Sequence, residues 1–271
     1  MNNKLADIME HIIDRESDIV FITETWLQAD ANSITAEIKS YGYELLHDRR
    51  KNRKKEKGGG VGIMIKTELV SKQKPGRHFE SFEHTIVILS LVNKKKLILI
   101  CIYRVLFVAE TFFLRELAEL LDEIVVSNEH YVIAGDVNIH VDTEDLYARQ
   151  FHELLNLHDI KQHINELTHS KGHTLDVVLT SKNEDLQGIT VTELDLSDHY
   201  LIDFEVKVAE MIKRKKIIKY RPIKAVDNEK FSAEVIEKLE ALPASNDVGS
   251  KVESYNEVLS ELVNLGNQGG D

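Results

Sequence analysis

Four short polar motifs, spread along the chain, each lie where a predicted strand ends. They are Glu24-Thr25-Trp26, Gly135-Asp136-Val137-Asn138, Thr174-Leu175-Asp176 and Ser197-Asp198-His199. Loops at strand ends are where α/β and β-sandwich scaffolds display reactive groups. The pattern therefore predicts a fold that brings distant strand ends together at one site.

The apolar periodicity predicts a mixture of strands and helices. Helical spacing is found over residues 4–15, 110–127 and 144–157. Predicted strands cover residues 18–23, 41–47, 61–65, 85–92, 96–103, 131–135, 173–180, 188–192 and 201–208. Many strands with helices at intervals fit a two-sheet sandwich covered by helices. Two more helices are predicted over 227–242 and 248–265, after a change of character near residue 224.

The bulk properties set limits on the class of protein. A chain of 271 residues forms one large domain or two small ones. The net charge of −12 argues against a dedicated nucleic-acid coat, but a nuclease stays possible because local charge decides contact. The single cysteine, Cys101, rules out an intramolecular disulfide and fits a reducing compartment. It is read as a buried structural thiol, with a reactive thiol as the alternative.

No apolar stretch reaches the roughly 20 residues of a membrane-spanning helix, and the first residues lack the core of a signal peptide. We therefore expect an intracellular protein that is not secreted and has no membrane partner. Two basic runs, 49–57 and 213–216, are read as solvated loops, as nuclear-localisation signals or as contacts to a phosphate backbone. The nucleus is accordingly one expected location.

A glycine run, Gly58-Gly59-Gly60, separates the first basic run from a strand. Glycines in such a position can cradle a phosphate, but the pattern of a P-loop is absent. A flexible hinge ahead of the strand is the favoured interpretation.

The motif residues match the requirements for cleaving a phosphodiester with a divalent metal. The metal neutralises the anion, and a base, its orienting partner and neutral donors complete the site. Glu24 follows a strand, and Asp136 and Asn138 alternate so that both can point to one side. Asp176 interrupts an apolar run and needs a buried partner, for which an imidazole such as His199 would serve.

Each motif alone also has an ordinary structural explanation. Glu24 fits a strand-end acid, Gly135–Asn138 fits a turn, and Asp198-His199 fits a capping pair. All four together favour a metal-dependent site. The other histidines near the motifs show no zinc-binding spacing and are interpreted as surface or supporting residues: His140, His163, His169 and His173. No serine elbow supports acyl chemistry.

The order of these motifs, with Tyr103-Arg104 between the first two, resembles the endonuclease/exonuclease/phosphatase superfamily. The resemblance covers residues 4–208. It is similar in detail to the apurinic-type endonuclease domain of non-LTR (LINE-type) retrotransposons, in Glu24–Leu27, His173–Thr180 and Leu196–Ile202. It implies a four-layered sandwich of two mixed β-sheets covered by helices, like deoxyribonuclease I. It also implies a DNA endonuclease that nicks one strand.

The resemblance implies a role for each matching residue. Glu24 and Asp198 would hold Mg²⁺ or Mn²⁺, and Tyr103 would lie near the phosphate. Asp136 and Asn138 would position the attacking water or the phosphate. Asp176 would hold His199 in its working tautomer, and His199 would contact the scissile phosphate or act on water.

Two departures from the family pattern stand out. Family members open with a strand that bears a metal-binding asparagine, and this sequence starts after it unless Asn2 or Asn3 substitutes. We therefore expect the first strand to be missing and a sheet edge to be exposed. In addition, Val105-Leu106 follows Tyr103-Arg104 in place of the family's prolines, so the substrate loop is altered.

Three functions stay open from the sequence. The first is the DNA endonuclease, and the second is an impaired remnant of a mobile element that acts at most as a binding module. The third is a phosphatase or phosphodiesterase on small phosphate esters. Complete elements carry a reverse transcriptase domain, which we do not expect within these 271 residues. Residues 1–208 are predicted to form the catalytic-type domain, and 209–271 a basic linker and helical extension.

Overall fold

A computed structural model describes residues 4–27, 32–48, 58–127, 129–214, 228–241, 252 and 254–258. The chain divides into two units, Met1–Lys215 and Lys216–Asp271. In the second unit, the helix α5 (Asn228–Glu240) agrees with the helix predicted over 227–242. Asn2, Asn3, the basic run 49–57, residues 215 and 216, and most of the last predicted helix lie outside the described residues.

The first unit is built around a six-stranded sheet. Its strands, in spatial order, are β4 (Ser71–Lys74), β5 (Phe82–Ser90), β6 (Lys96–Arg104), β7 (His130–Asp136), β9 (Asp176–Ser181) and β8 (Ile160–Gln162). Only the β6–β7 pair in this sheet is parallel. The apolar run of β6 is buried on both faces, as expected of a central strand. The helices α3 (Glu110–Val125) and α4 (Leu146–Leu157) cover the outer face of this sheet.

The inner face packs against a second layer that consists of two small sheets. One has the order β1 (Ile19–Ile22), β3 (Val61–Lys66) and β2 (Tyr43–Asp48). The other pairs β10 (Leu186–Thr192) with β11 (Leu201–Val206). The helices α1 (Leu5–Asp14) and α2 (Asn32–Ser40) cover β1–β3 from outside. The first unit is thus a layered α/β sandwich, which confirms the predicted fold class.

Residues just after 208 make strand-like contacts with the first unit. Met211 bridges to Leu91, and Lys213 bridges to Leu69.

Among the helices that the structure describes, none combines the length and the apolar character needed to cross a bilayer.

Cys101 lies in the middle of β6, fully buried between the two β-layers. Its thiol donates to the carbonyl of Ile22 at 3.5 Å, and burial raises the pKa of the thiol to about 12. A thiol with so high a pKa is inert near neutral pH, which supports its interpretation as a structural residue.

Candidate active site

The register of the six-stranded sheet places three of the candidate residues in one row. Tyr103, at the end of β6, lies opposite Asp136 at the end of β7, and Asp136 lies opposite Asp176 at the start of β9. Residues in register on neighbouring strands point to the same face. Strand pairing therefore brings together side chains that are more than 70 residues apart in the sequence.

Glu24 reaches this row from the second layer, on the loop after β1. The Tyr103 hydroxyl donates to Glu24 Oε1, and Trp26 Nε1 donates to Oε2 at 3.2 Å. The backbone of Glu24 and Trp26 is left-handed, with φ of 50° and 54°. Such a conformation is uncommon for residues other than glycine and is typical of functional sites.

The glycine run supports the Glu24 turn in the structure. The carbonyls of Gly59 and Gly60 accept from the backbone N–H groups of Trp26 and Thr25 at 2.9 and 3.0 Å. Gly60 has φ of +87°, and a Cβ there would lie 2.5 Å from Thr25 Oγ1. Gly60 therefore leaves room for the Thr25 side chain beside Glu24, a role other than the phosphate cradle or hinge considered from the sequence.

Asp136 and Asn138 form a tight turn after β7. The Asn138 backbone N–H donates to Asp136 Oδ1 at 2.8 Å, and Asn138 Nδ2 donates to Oδ2 at 3.0 Å. Asn138 has φ of 49°, so the two side chains meet through a turn rather than through extended alternation. Gly135 precedes them with φ of +144°, and a Cβ there would lie 1.9 Å from the carbonyl oxygen of Ile102.

Arg104 holds this turn through hydrogen bonds to Asn138. It was not identified as a site residue from the sequence. Its Nη1 donates to the carbonyl of Asn138 at 2.7 Å, and its own carbonyl accepts from Asn138 Nδ2 at 3.0 Å. Arg104 is buried and also pairs with Glu110 at 2.7 Å. An arginine at the end of an apolar strand was the available signal, because a buried guanidinium needs partners. The altered loop beyond it exposes Leu106 and Phe107.

His199 and Asp176 form the predicted pair. His199 Nδ1 lies 2.8 Å from Asp176 Oδ2, and its Nε2 lies 3.7 Å from Asp136 Oδ2. Burial alone would lower the pKa of His199. The hydrogen bond to Asp176 and the charges of Asp176, Asp136 and Asp198 outweigh burial and raise that pKa to about 9.

A supporting segment, Thr168-His169-Ser170, joins the last two motifs. Thr168 Oγ1 accepts from the backbone N–H of Leu175 and of Asp176, each at 3.0 Å. The carbonyl of Thr168 accepts from Tyr200 N–H at 2.7 Å. Sequence reasoning missed this role, because these are long-range backbone contacts without a local pattern.

His169 is buried within that segment and supports Asp198. Its Nδ1 accepts from the Lys171 backbone N–H at 3.0 Å, so its Nε2 carries the proton. That Nε2 lies 3.3 Å from Asp198 Oδ2, and the ring packs edge-to-face on His199 at 4.8 Å between centroids. His169 is thus a supporting residue, one of the two roles expected for it.

The other histidines lie outside this set of contacts. The rings of His140 and His173 stack at 3.8 Å, and His173 pairs with Asp142 at 3.3 Å. His163 is buried and bonds to Thr180 Oγ1 at 2.7 Å.

The charge balance of the site fits a divalent cation. Burial, the charge of Asp176 and that of Glu24 raise the pKa of Asp136 to about 7, against the opposing effects of His199 and the Asn138 N–H. Asp136 and Asp176 thus share a largely buried region with His199, whereas the carboxylates of Glu24 and Asp198 are exposed. An ion held by oxygen ligands would compensate their charge, and Mg²⁺ and Mn²⁺ prefer such ligands.

Two groups of side chains offer ligand atoms that lie within 4.8 Å of one another. They are Asp136, Asp176 and His199, and His169, Asp198 and His199. Glu24 belongs to neither group among the described residues, but it is linked to the first through Tyr103. The structure thus brings Asp136, Asn138, Asp176, Asp198 and His199 together, with Glu24 and Tyr103 beside them.

The fold and the site define a class of protein: a layered α/β sandwich with a carboxylate–imidazole cluster at its strand ends. The chain belongs to the Endonuclease/Exonuclease/phosphatase family, whose model matches residues 1–199. This confirms the resemblance found in the sequence. Members of this family generally depend on a divalent metal. No curated protein matches the chain.

Solved structures with the same fold include an endonuclease domain and other members of the family. The endonuclease domain of TRAS1, a telomere-specific non-LTR retrotransposon, matches with a TM-score of 0.58 and 14% identity, over 74% of this chain and 91% of that one. The human Nocturnin catalytic domain matches with a TM-score of 0.55 and 15% identity, over 76% of this chain and 87% of that one. A family protein from Leptotrichia buccalis matches with a TM-score of 0.58 and 11% identity, over 76% of this chain and 93% of that one. At these identities the likeness shows the fold alone.

Proposed function

We propose that this protein is a divalent-metal-dependent phosphodiesterase that nicks one strand of DNA. The observation that carries the proposal is the His199–Asp176 pair beside the buried carboxylate of Asp136. Hydrolysis of an anionic diester needs positive charge at the phosphate and a positioned base for water. The cluster supplies a cationic imidazole and carboxylates at one point of the molecule.

We assign Glu24 and Asp198 to the metal. Bound Mg²⁺ or Mn²⁺ would neutralise the phosphate charge and stabilise the leaving oxygen. Tyr103 and Trp26 each donate to one oxygen of Glu24, which fixes the orientation of its carboxylate. His169 fixes Asp198 in the same way through its protonated Nε2. Tyr103 is also assigned to the neighbourhood of the phosphate.

We assign Asp136 and Asn138 to positioning of the attacking water or the phosphate. Burial and the charge of Asp176 raise the pKa of Asp136, which favours its acceptance of a proton. Asp176 holds His199 through Nδ1 and directs Nε2 toward Asp136. With a pKa of about 9, His199 is cationic near neutral pH and is suited to donate to the scissile phosphate.

We further propose that the chain derives from a non-LTR retrotransposon. The phrases around Glu24, Asp176 and His199 support this origin, and so does the fold shared with the TRAS1 domain. In such elements the freed 3′ hydroxyl primes reverse transcription. A reverse transcriptase domain would therefore be the partner of this domain in a complete element. The second candidate function is an impaired remnant that only binds DNA or protein, favoured by the position of β1 at the edge of its sheet among the described strands.

A plasmid-nicking assay tests the proposal. We expect supercoiled plasmid to become open circles with Mg²⁺ and to stay intact with a chelator. His199→Ala and Asp136→Ala should lower the rate by about 10²- to 10⁴-fold. His158→Ala and Asp185→Ala are matched controls, because these residues form ion pairs elsewhere, with Asp122 and Lys161, and should leave the rate unchanged.

Three results would redirect the proposal. Equal nicking by the two site variants would point to a contaminating nuclease. A folded protein without nicking would support the remnant, and DNA binding measured by filter retention would then define its role. Release of phosphate from an inositol phosphate without nicking would support a phosphatase.

A further inference from the structure

The row of polar residues across the six-stranded sheet has a fourth member, Glu83 on β5. Glu83 lies opposite Tyr103 on β6, and the row continues through Asp136 to Asp176. Side chains in register share one face of a sheet, so Glu83 points toward the second layer, as Tyr103 does. A further carboxylate therefore lies where the two layers meet.

The Glu83 carboxylate bonds to the glycine run that supports the Glu24 turn. Glu83 Oε2 accepts from the Gly60 N–H at 2.5 Å. This N–H belongs to the peptide group between Gly59 and Gly60, whose carbonyl accepts from the Trp26 N–H at 2.9 Å. The N–H and the carbonyl of a trans peptide point to opposite sides, so one planar unit connects Glu83 to Trp26. Hydrogen bonds in such a chain strengthen one another, and a carboxylate acceptor strengthens them further.

The Glu24 turn needs support from its surroundings. Glu24 and Trp26 both have left-handed backbones, a conformation that persists only where neighbouring groups fix it. The groups that fix it are the carbonyls of Gly59 and Gly60, which accept from Trp26 and Thr25. Glycines have wide conformational freedom and hold a position poorly by themselves. The bond to Glu83 ties them to β5, which is paired on both sides within the sheet.

A second contact from the same row reaches Glu24 directly. Tyr103, the neighbour of Glu83 in the row, donates from its hydroxyl to Glu24 Oε1. Two adjacent positions of the sheet thus fix two parts of one residue. Tyr103 holds the side chain of Glu24, and Glu83 holds its backbone through the glycine peptide.

We propose that Glu83 is a positioning residue of the candidate metal site. Its carboxylate fixes the Gly59–Gly60 peptide, and this peptide keeps the Glu24 turn in the geometry that presents the Glu24 carboxylate to the metal. Glu83 acts by accepting a hydrogen bond and does not touch the ion, since it lies outside both groups of ligand atoms found among the described residues. This role rests on the proposed function, in which Glu24 binds the metal.

Three substitutions at Glu83 separate its possible actions in the full chain. Glu83→Ala removes the acceptor, and Glu83→Asp keeps the charge but shortens the side chain by one carbon. Glu83→Gln removes the charge but keeps an acceptor oxygen of the same reach. Mn²⁺ affinity, measured by calorimetry without DNA, should fall about tenfold or more in the first two and stay within about threefold in Glu83→Gln.

Amide hydrogen exchange at Trp26 reports on the turn without any metal. It should speed up by about fivefold or more in Glu83→Ala and Glu83→Asp, and change little in Glu83→Gln. Glu184→Ala is the matched control. It removes another half-buried carboxylate, one that bonds to His130 at the opposite end of β7, and both readouts should stay at the wild-type value.

The results that would overturn the proposal are distinct from those that would refute the proposed function. Unchanged Mn²⁺ affinity and Trp26 exchange in Glu83→Asp would overturn it, even if Glu83→Ala does not fold. A loss in Glu83→Gln as large as in Glu83→Asp would also overturn it, because Glu83 would then act through its charge. If the wild type binds no Mn²⁺, the metal assignment fails. Faster Trp26 exchange in Glu83→Asp would in that case still support the hold of Glu83 on the turn, and unchanged exchange would overturn it.

Discussion

The two β-layers hold their shares of the candidate site in different ways. The six-stranded sheet carries Tyr103, Asp136 and Asp176 on three neighbouring strands, where the hydrogen-bond ladder fixes their spacing. The second layer contributes Glu24, Asp198 and His199 from loops beyond β1 and before β11. Those two strands are mostly half-buried, and among the described strands each pairs with one neighbour.

The difference shows what positions the site side chains in each of the two β-layers. In the first layer the sheet itself positions the side chains. In the second layer dedicated contacts replace the sheet: Gly59 and Gly60 hold the Glu24 turn, and the segment Thr168-His169-Ser170 holds Asp198 and the residues beside it. Changes in the first layer should therefore abolish chemistry or folding, and changes in the supports of the second should mainly weaken metal binding.

The largest effect is expected where the two layers meet. Asp176→Asn keeps the shape of the side chain but removes the charge that orients His199. Nicking should fall by about 10²- to 10⁴-fold, measured under saturating Mg²⁺. Asp142→Asn is the matched control, because Asp142 pairs with His173 in the same manner outside the cluster. A loss in the control as large as in Asp176→Asn would show that any Asp–His pair has this effect.

Gly135→Ala should prevent folding. A Cβ at this position would meet the backbone oxygen of Ile102 at 1.9 Å, and neither strand can yield. We expect a loss of about 4 kcal/mol or more in the free energy of unfolding, or no soluble protein. Gly42→Ala is the control, since nothing lies within 4 Å of its Cβ. Urea denaturation gives both values, and equal losses would contradict the steric account.

Gly60→Ala should separate support of the site from folding. Gly60 and Gly42 share a φ of +87°, so both alanine variants carry the same backbone strain of about 1–2 kcal/mol. Of the two variants, only the Cβ added at Gly60 would clash with the side chain of Thr25, next to Glu24. Mn²⁺ affinity, measured by calorimetry, should fall about tenfold for Gly60→Ala and stay unchanged for Gly42→Ala. The same affinity in both variants would remove the glycines from the support of Glu24.

The smallest effect is expected away from the site, at Glu116 on α3. Burial would raise the pKa of this carboxyl, but hydrogen bonds from Ser81 and from the backbone of Glu80 lower it overall. A pKa lowered by folding contributes stability above the unfolded value of about 4.3, and this stability is lost as the pH falls through the folded pKa.

Glu116→Gln should therefore reduce the free energy of unfolding by about 1–2 kcal/mol at pH 7. The difference from the wild type should shrink as the pH falls below about 4. Urea denaturation at several pH values gives the comparison, and a difference that stays constant with pH would argue that the charge of Glu116 has no part in it.

The sequence predicted most of the first layer and pointed to the candidate residues that the structure brings together, because both depend on local patterns. The apolar run of β6 and the periodicity of α3 identify those elements directly. The short strands β4 and β8 were missed, since Ser71–Lys74 has no apolar pattern and Ile160–Gln162 has only three residues. Both form by pairing with neighbours that are already in place.

The supports of the site were also beyond reach of the sequence. The bonds from Thr25 to Gly60 and from Tyr200 to Thr168 join backbone groups that are more than 30 residues apart. Any residue type can make such bonds, so they leave no signature in composition. His169 is recognisable only once its burial and its partners are known, whereas Arg104 offered one signal, a charged residue at the end of an apolar strand.

The position of a bound metal tests the central claim, that the candidate residues surround one cation. Anomalous diffraction from crystals soaked in Mn²⁺ would locate the ion directly. We predict one strong peak in contact with the carboxylates of Glu24 and Asp198, beside Asp136 and Asp176. A peak elsewhere in the molecule, or no peak at the Glu24 carboxylate, would contradict the account.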